Sequence, residues 1–313
     1  MALVLARRLG SGAVVALMVA LTVFALLHLS PGDPAAVLAG DNATAADIAR
    51  IRTNLGLDRP LHVQFAAWLG AVLQGDFGNS LFSGQPVAAL IAERMQPTLS
   101  LMVLTTAIAV AVAIPAGVLA AWRPGSILER SIAAISLTGF SVPVFVVGYC
   151  VAFVFALKLR WLPVQGYAPL ENGAGPWLAS ILLPSLALST SYIALIARTT
   201  RAAMIEVLAQ DYIKTARAKG CSDLSILFVH ALRNCALPVS TVIGMGIALL
   251  IGGAVATESV FAIPGLGRLL IDAILRGDYP VIQGIVLFFS FVYVAINLCL
   301  DLLYGVFDPR VRL

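Results

Sequence analysis

Residues 97–121 read PTLSLMVLTTAIAVAVAIPAGVLAA, an unbroken stretch without one Asp, Glu, Lys, Arg or His. A helix needs roughly 20 apolar residues, at 1.5 Å of rise each, to cross the hydrocarbon of a bilayer. The stretch therefore predicts a membrane-spanning helix. Five more runs of the same kind flank it, at about 9–29, 131–157, 178–197, 236–257 and 282–304. The first follows Arg7 and Arg8, as a signal peptide would. However, its roughly 21 residues exceed a signal peptide's apolar region of about 7–15, so it reads as an uncleaved first span.

Composition agrees. Of 313 residues, 60% are hydrophobic and 12% charged. Soluble domains carry about 25% charge and 45–50% apolar residues, and water cannot cover so apolar a surface. The expected fold is an all-α membrane protein of six transmembrane helices. The net charge of +4 reads as basic loops at one membrane face. Nucleic acid is not an expected partner, because the basic residues are dispersed without interleaved aromatics. Cys150, Cys221, Cys235 and Cys299 form no C-x-x-C pair and read as small apolar thiols.

Charge also orients the chain. Twelve of the twenty Lys and Arg lie in the N-terminal tail, in the connections after the second and fourth runs, and in the C-terminal tail. The other eight lie on the opposite side, four of them in the long 30–96 connection, where the positive-inside rule weakens. Both termini are expected in the cytoplasm.

The outer connection, 30–96, reads as a small helical cap. Thr44 with Asp47 resembles a helix start for 45–55, and Gly56 would end it. Pro60 suits the first helical position, and an apolar stripe continues to Leu73. The expected organisation is a tail and first span over 1–29, the cap over 30–96 and a five-helix core over 97–313, with a cytoplasmic loop at 198–235.

The runs hold almost no ionisable residue. His28 ends the first and Asp301 lies near the end of the last, both within reach of the interface. Charges at mid-membrane are costly and mark proton or ion relays. Their scarcity argues that energy enters from outside the membrane core. No H-E-x-x-H, G-x-S-x-G or G-x-x-x-x-G-K-[ST] motif occurs, so no catalytic residues, metal ligands or ATP site are expected. Hydroxyls and a break mark Ser141, Pro143, Ser189 and Tyr192 as possible pore-lining residues, although such residues also simply let helices approach. Glu258, Asp272 and Asp278 are possible docking contacts on the outer face, or plain surface carboxylates.

The cytoplasmic loop is the most informative segment. Asp211 can cap a short helix. Arg217 and Lys219 fall in its last turn, where the helix dipole favours cations. Gly220 takes the position after the C-cap, where left-handed backbone is cheapest. Ser222 can cap a second helix with Leu224, Leu227, Phe228, Ala231 and Leu232 on one face, and Pro238 starts the next span. A helix–Gly–helix elbow results, either an ordinary interfacial hairpin or a lever fitted to a partner's groove.

Thr215-Ala-Arg-Ala-Lys-Gly220, followed by His230, Asn234 and Pro238, resembles the EAA loop of importer permeases of the ATP-binding-cassette family. The stretches 29–34 (LSPGDP), 56–61 (GLDRPL), 75–80 (GDFGNS), 258–267 (ESVFAIPGLG), 277–280 (GDYP) and 307–310 (FDPR) resemble, in order, the first permease of dipeptide, oligopeptide and nickel importers. The family's loop begins Glu-Ala-Ala, whereas Thr215-Ala216-Arg217 stand here, which removes one acidic contact.

The resemblance implies a type I importer in the inner or plasma membrane of a prokaryote, in which a second homologous permease completes the pore. Two ATPase subunits, binding ATP and Mg, would engage Asp211, Thr215, Ala216, Arg217, Ala218, Lys219 and Gly220. An extracytoplasmic binding protein would deliver substrate. Peptides are the implied cargo, with nickel, haem and an ATP-independent secondary transporter as alternatives. This chain itself would bind no cofactor.

Overall fold

The computed structural model describes the backbone of residues 2–29, 34–39, 43–54 and 56–307, and the side chains of 10–25, 35–36, 39, 43–53, 56–300 and 302. The stretches 30–33 and 308–310 of the motifs above lie outside the described residues, as do the side chains of His28 and Asp301. Among the described residues there is no strand, only a single bridge between Asn79 and Pro86. This is the expected outcome in lipid, where a backbone polar group must find its partner within its own helix.

The helices are α1 (Ala2–Leu29), α2 (Pro34–Ala39), α3 (Ala45–Asn54), α4 (Leu61–Leu73), α5 (Val87–Trp122), α6 (Ile127–Ser141), α7 (Val144–Val151) and α8 (Ala174–Leu208). They continue with α9 (Asp211–Ala218), α10 (Asp223–Ser225), α11 (Leu232–Asn234), α12 (Ala236–Val260), α13 (Leu266–Arg276) and α14 (Tyr279–Phe307). Helices α5, α8, α12 and α14 are each long and apolar enough to cross a membrane. The third run is not straight. Helices α6 and α7 meet at 103°, and α7 runs on into a π-helical turn, Ala152–Lys158. Val142 adopts extended backbone between them, the conformation that a following proline imposes on its predecessor. In α1 the described apolar stretch, Gly10–Ala25, is shorter than a full span.

The chain divides into two compact units, one built from residues up to 96 with 265–295, the other from 97–264 with the segment from 296 onward. In the first, Phe24 of α1 meets Phe65 of α4 edge-on with 5.3 Å between ring centroids, and Trp68 lies beside both. Thr44 and Asp47 form the expected reciprocal cap of α3: Asp47 N–H donates to the Thr44 hydroxyl at 3.3 Å, and that hydroxyl donates to the carboxylate at 2.6 Å. Pro60 is the N-cap of α4, not its first helical residue. The N-terminal turns of α5 pack Val87, Leu90 and Ile91 against Leu266, Ala273, Val281 and Ile285 of α13 and α14.

In the second unit α8 is central, packing against α6, α7 and α12. Leu188, Ile196 and Ala197 of α8 form one cluster with Leu101, Ala109 and Ala113 of α5 and Leu250 and Ala254 of α12. The approach that sets backbone against backbone is at Gly117 of α5. A Cβ there would lie 2.7 Å from the Ala197 carbonyl oxygen and 2.6 Å from Thr200 Cβ, both on α8. A backbone carbonyl cannot swing aside, so glycine is needed for α5 to seat. Overpacking of this kind costs about 1–3 kcal/mol. Gly117→Val is therefore expected to lower the apparent melting temperature of the detergent-purified protein, while Gly10→Val, which meets open space, leaves it unchanged.

Candidate functional site

The elbow forms with one correction. Asp211 is the first residue of α9, not its cap; Gln210 holds the extended N-cap position without a side-chain bond. The Asp211 carboxylate instead pairs with Lys214 at 2.8 Å, one turn on. At the far end Gly220 has φ +82°. Its N–H donates to Arg217 O at 2.9 Å, and Cys221 N–H donates to Ala216 O at 3.2 Å. This pair of bonds is a Schellman closure, which places a left-handed residue at Gly220. Ser222 then accepts from Ser225 N–H, as expected of a cap. The helix that follows passes through a π-helical stretch, Ile226–Ala231, before α11.

Two contacts hold α9 in place. Ile213 is buried among Val118 and Ala121 of α5, Met204 of α8, Ile226, Leu227 and Ala231 of the π stretch, and Val239 of α12. Asn234 Nδ2 donates both to Tyr212 Oη, at 2.9 Å, and to His230 O, at 2.8 Å. Burial pushes the Tyr212 phenol up, with the Asn234 bond opposing, and pushes the Cys235 thiol up to about 11, so both stay neutral at physiological pH. Thr215, Arg217, Ala218, Lys219 and Gly220 are left exposed, while Ala216 is half-buried against the cluster. The result is a short cationic helix, anchored along one side and open along the other.

The other expected site residues divide. Ser141 and Pro143 are exposed at the α6–α7 bend. Ser189 and Tyr192 are not at a pore surface here: they are 1% and 4% exposed within the α8 packing. Ser189 Oγ donates to Leu186 O at 2.9 Å and Tyr192 Oη donates to Ile243 O on α12. The Tyr192 bond joins α8 to α12, as intramembrane hydroxyls often do, whereas the Ser189 bond stays within α8.

Two of the three carboxylates are not surface groups either. Glu258 is 0% exposed in the last turn of α12 and accepts a 2.6 Å bond from Thr98 Oγ1 of α5. Asp278, 5% exposed, accepts from Ser80 Oγ at 2.5 Å and from Leu81 N–H at 3.1 Å. Ser80 Oγ in turn accepts from Phe82 and Ser83 N–H, so Asp278 pins the whole 79–86 turn to the α13–α14 junction. A buried carboxylate must be hydrogen-bonded in this way, and neither is free to meet a partner. Asp272 alone is exposed, on the wall of a cavity of about 450 Å³ that it shares with Glu93, Arg94 and Arg276.

With this geometry in hand, the comparisons are decisive. Residues 113–313 match the family model described as the binding-protein-dependent transport system inner membrane component, and residues 1–102 match the model of that component's N-terminal part. The chain belongs to this family. A protein of Sinorhizobium fredii named a probable peptide ABC transporter permease is 52% identical over 98% of this chain and 98% of its own length. The glutathione transport system permease protein of Salmonella paratyphi A is 43% identical over 95% of this chain and 94% of its own. The fold is similar to that of a chain in the MetNI methionine ABC transporter, solved facing inward, with TM-score 0.58 and 18% identity over 70% of this chain and 96% of that one. The chain is thus a non-catalytic, multi-pass permease subunit of an ABC importer.

The permease's two inner carboxylate clamps were not legible, but Asp272 and Asp278 now separate cleanly. Asp278→Ala leaves Ser80 and the Leu81 N–H without their acceptor, a loss of about 1–3 kcal/mol. Asp272→Ala, on an exposed wall, is expected within about 0.5 kcal/mol of wild type. Apparent melting temperatures of the two variants, measured side by side in detergent, check the contrast; equal effects would contradict it.

Proposed function

We propose that this permease forms one half of the pore of an ATP-driven importer of di- or oligopeptides. The observation that carries the cargo class is full-length similarity, at 52% and 43% identity, to permeases named for peptide and for glutathione, itself a small peptide. In this reading α1, α5, the bent α6–α7 pair, α8, α12 and α14 are six spans, and both termini are cytoplasmic. Residues 30–96 cap the outer face, where they and the 260–280 segment meet a substrate-binding protein. A second homologous permease completes the pore, and two ATPase subunits carry ATP and Mg.

Helix α9 is then the lever. ATP binding draws the ATPases together and displaces α9, and the bundle turns its pore outward; hydrolysis returns it. Such coupling requires a bundle with two discrete packings and an element both sites can bias. The anchorage of Ile213 and the Asn234–Tyr212 bond support a stiff lever, and the open cationic side with Arg217 and Lys219 supports a docking face.

The experiment is a mild-detergent pull-down of this chain from its native membrane, followed by ATPase and peptide-uptake assays. A second permease and P-loop ATPases are expected to copurify. Gly220→Val forces a β-branched residue into left-handed backbone. It is expected to reduce peptide uptake at least about tenfold, equal to 1.4 kcal/mol of coupling, while ATP hydrolysis continues. Uptake without ATP by this chain alone would overturn the reading.

A further inference from the structure

A groove of about 320 Å³ runs between α6 and α8. Its wall is apolar, with Ile132, Leu137 and Phe140 from α6 and Leu195 from α8. At one end stand two guanidinium groups, Arg198 and Arg201. They lie just where the apolar run of α8 stops, one turn apart, which is the depth of a lipid headgroup if α8 spans the membrane.

The two arginines are differently engaged. Arg201 pairs with Glu129 of α6. Glu129 also accepts from the Gly125 N–H, so its carboxylate is engaged from both sides. That pair occupies one edge of the Arg201 guanidinium. Its Nε–H is nonetheless buried and has no hydrogen-bond acceptor. Arg198 is exposed, and among the described residues no hydrogen bond or ion pair engages it. The groove therefore presents the spare positive charge of Arg198 beside the Arg201–Glu129 pair, at one end of an apolar trough lined by Leu137 and Phe140.

We infer that the α6–α8 groove binds one anionic phospholipid, its phosphate between Arg198 and Arg201 and an acyl chain along Leu137 and Phe140. Basic pockets between spans on the cytoplasmic side suit anionic headgroups, and Arg offers a planar fork to phosphate oxygens. The placement in the inner leaflet rests on the cytoplasmic orientation of the α8–α9 junction proposed above. The exposed Ile135 beside the groove continues the apolar surface that a second chain would lie on.

The test is native mass spectrometry of the intact permease complex, equilibrated with mixtures of phosphatidylglycerol and phosphatidylcholine of identical acyl chains. Wild type is expected to retain one phosphatidylglycerol, with a preference of about fivefold for each engaged arginine. Arg198→Gln is expected to cut that preference about fivefold, and Arg198→Lys to keep most of it. Ala133→Phe, which fills the groove from an exposed position, is expected to abolish retention of both lipids. Equal retention of the two lipids, or an unchanged preference in Arg198→Gln, would overturn the site. Displacement by millimolar inorganic phosphate would overturn it in favour of a free-anion site. A cross-link from Ala133→Cys to a neighbouring subunit would overturn it in favour of a protein interface. Labelling of Ala218→Cys by an impermeant maleimide from outside sealed, right-side-out vesicles would overturn the orientation and with it the leaflet, whereas lipid selectivity is read independently of that result.

Discussion

The second compact unit depends on how closely other helices can approach α8. Bilayer hydrocarbon supplies no hydrophobic drive between helices, so association rests on van der Waals fit and on hydrogen bonds between them. Both occur along α8. Gly117 lets α5 come against the Ala197 carbonyl, and Gly246 leaves room on α12 for the Tyr192 ring. Tyr192 then donates to the Ile243 carbonyl, and Ser191 Oγ donates to Gly139 O on α6. Small residues set the distances, and the hydroxyls that such closeness brings within range hold the helices at them.

At the helix ends a different device takes over. Thr98 and Glu258 are 160 positions apart, Ser80 and Asp278 198, yet each pair forms a buried hydroxyl–carboxylate bond. Such bonds are directional, and removing one partner leaves a buried charge uncompensated. They fix register where apolar packing alone would tolerate sliding. The turn after α12 is fixed in a similar way. Ile263 N–H returns to Glu258 O at 2.9 Å, and Ala262 takes a left-handed φ of 50° to allow it. An alanine there is costly, and the surrounding bonds impose it: Phe261 O also accepts from Gly166 N–H at 2.9 Å.

This division explains what could be read in advance. The apolar runs, the Thr44–Asp47 cap, the left-handed Gly220 and the Ser222 cap depend on neighbours within a few residues, and all were legible. The break at Val142-Pro143 was legible as an interruption, but its 103° angle was not, because the bend is set by what α6 and α7 each pack upon. For Ser189 and Tyr192 helix packing was one of two legible readings, but the burial of Glu258 and Asp278 was not legible. A hydroxyl or carboxylate near the end of an apolar run looks the same in sequence whether it faces water or a partner 160 residues away. Thr98 and Ser80, those partners, carried no signal of their own. The groove residues Arg198 and Arg201 were legible only as charge, since a trough exists only once α6 lies on α8.

The position of Ile213 ties α9 to the rest of the second unit. A side chain seated among α5, α8 and α12 cannot be displaced without moving at least one of them, because a packed interior resists compression. Shear within α9 is opposed by its own Schellman closure, and rotation away from the following helix by the Asn234–Tyr212 bond. Force applied to the exposed side of α9 is therefore not absorbed in the loop. It meets Val118 and Ala121 on α5, Met204 on α8 and Val239 on α12, which share its buried cluster, and Val118 adjoins Gly117, where α5 comes against α8. In the proposed coupling, a helix of eight residues acts on three long ones through one buried side chain, Ile213, that shares a cluster with all three.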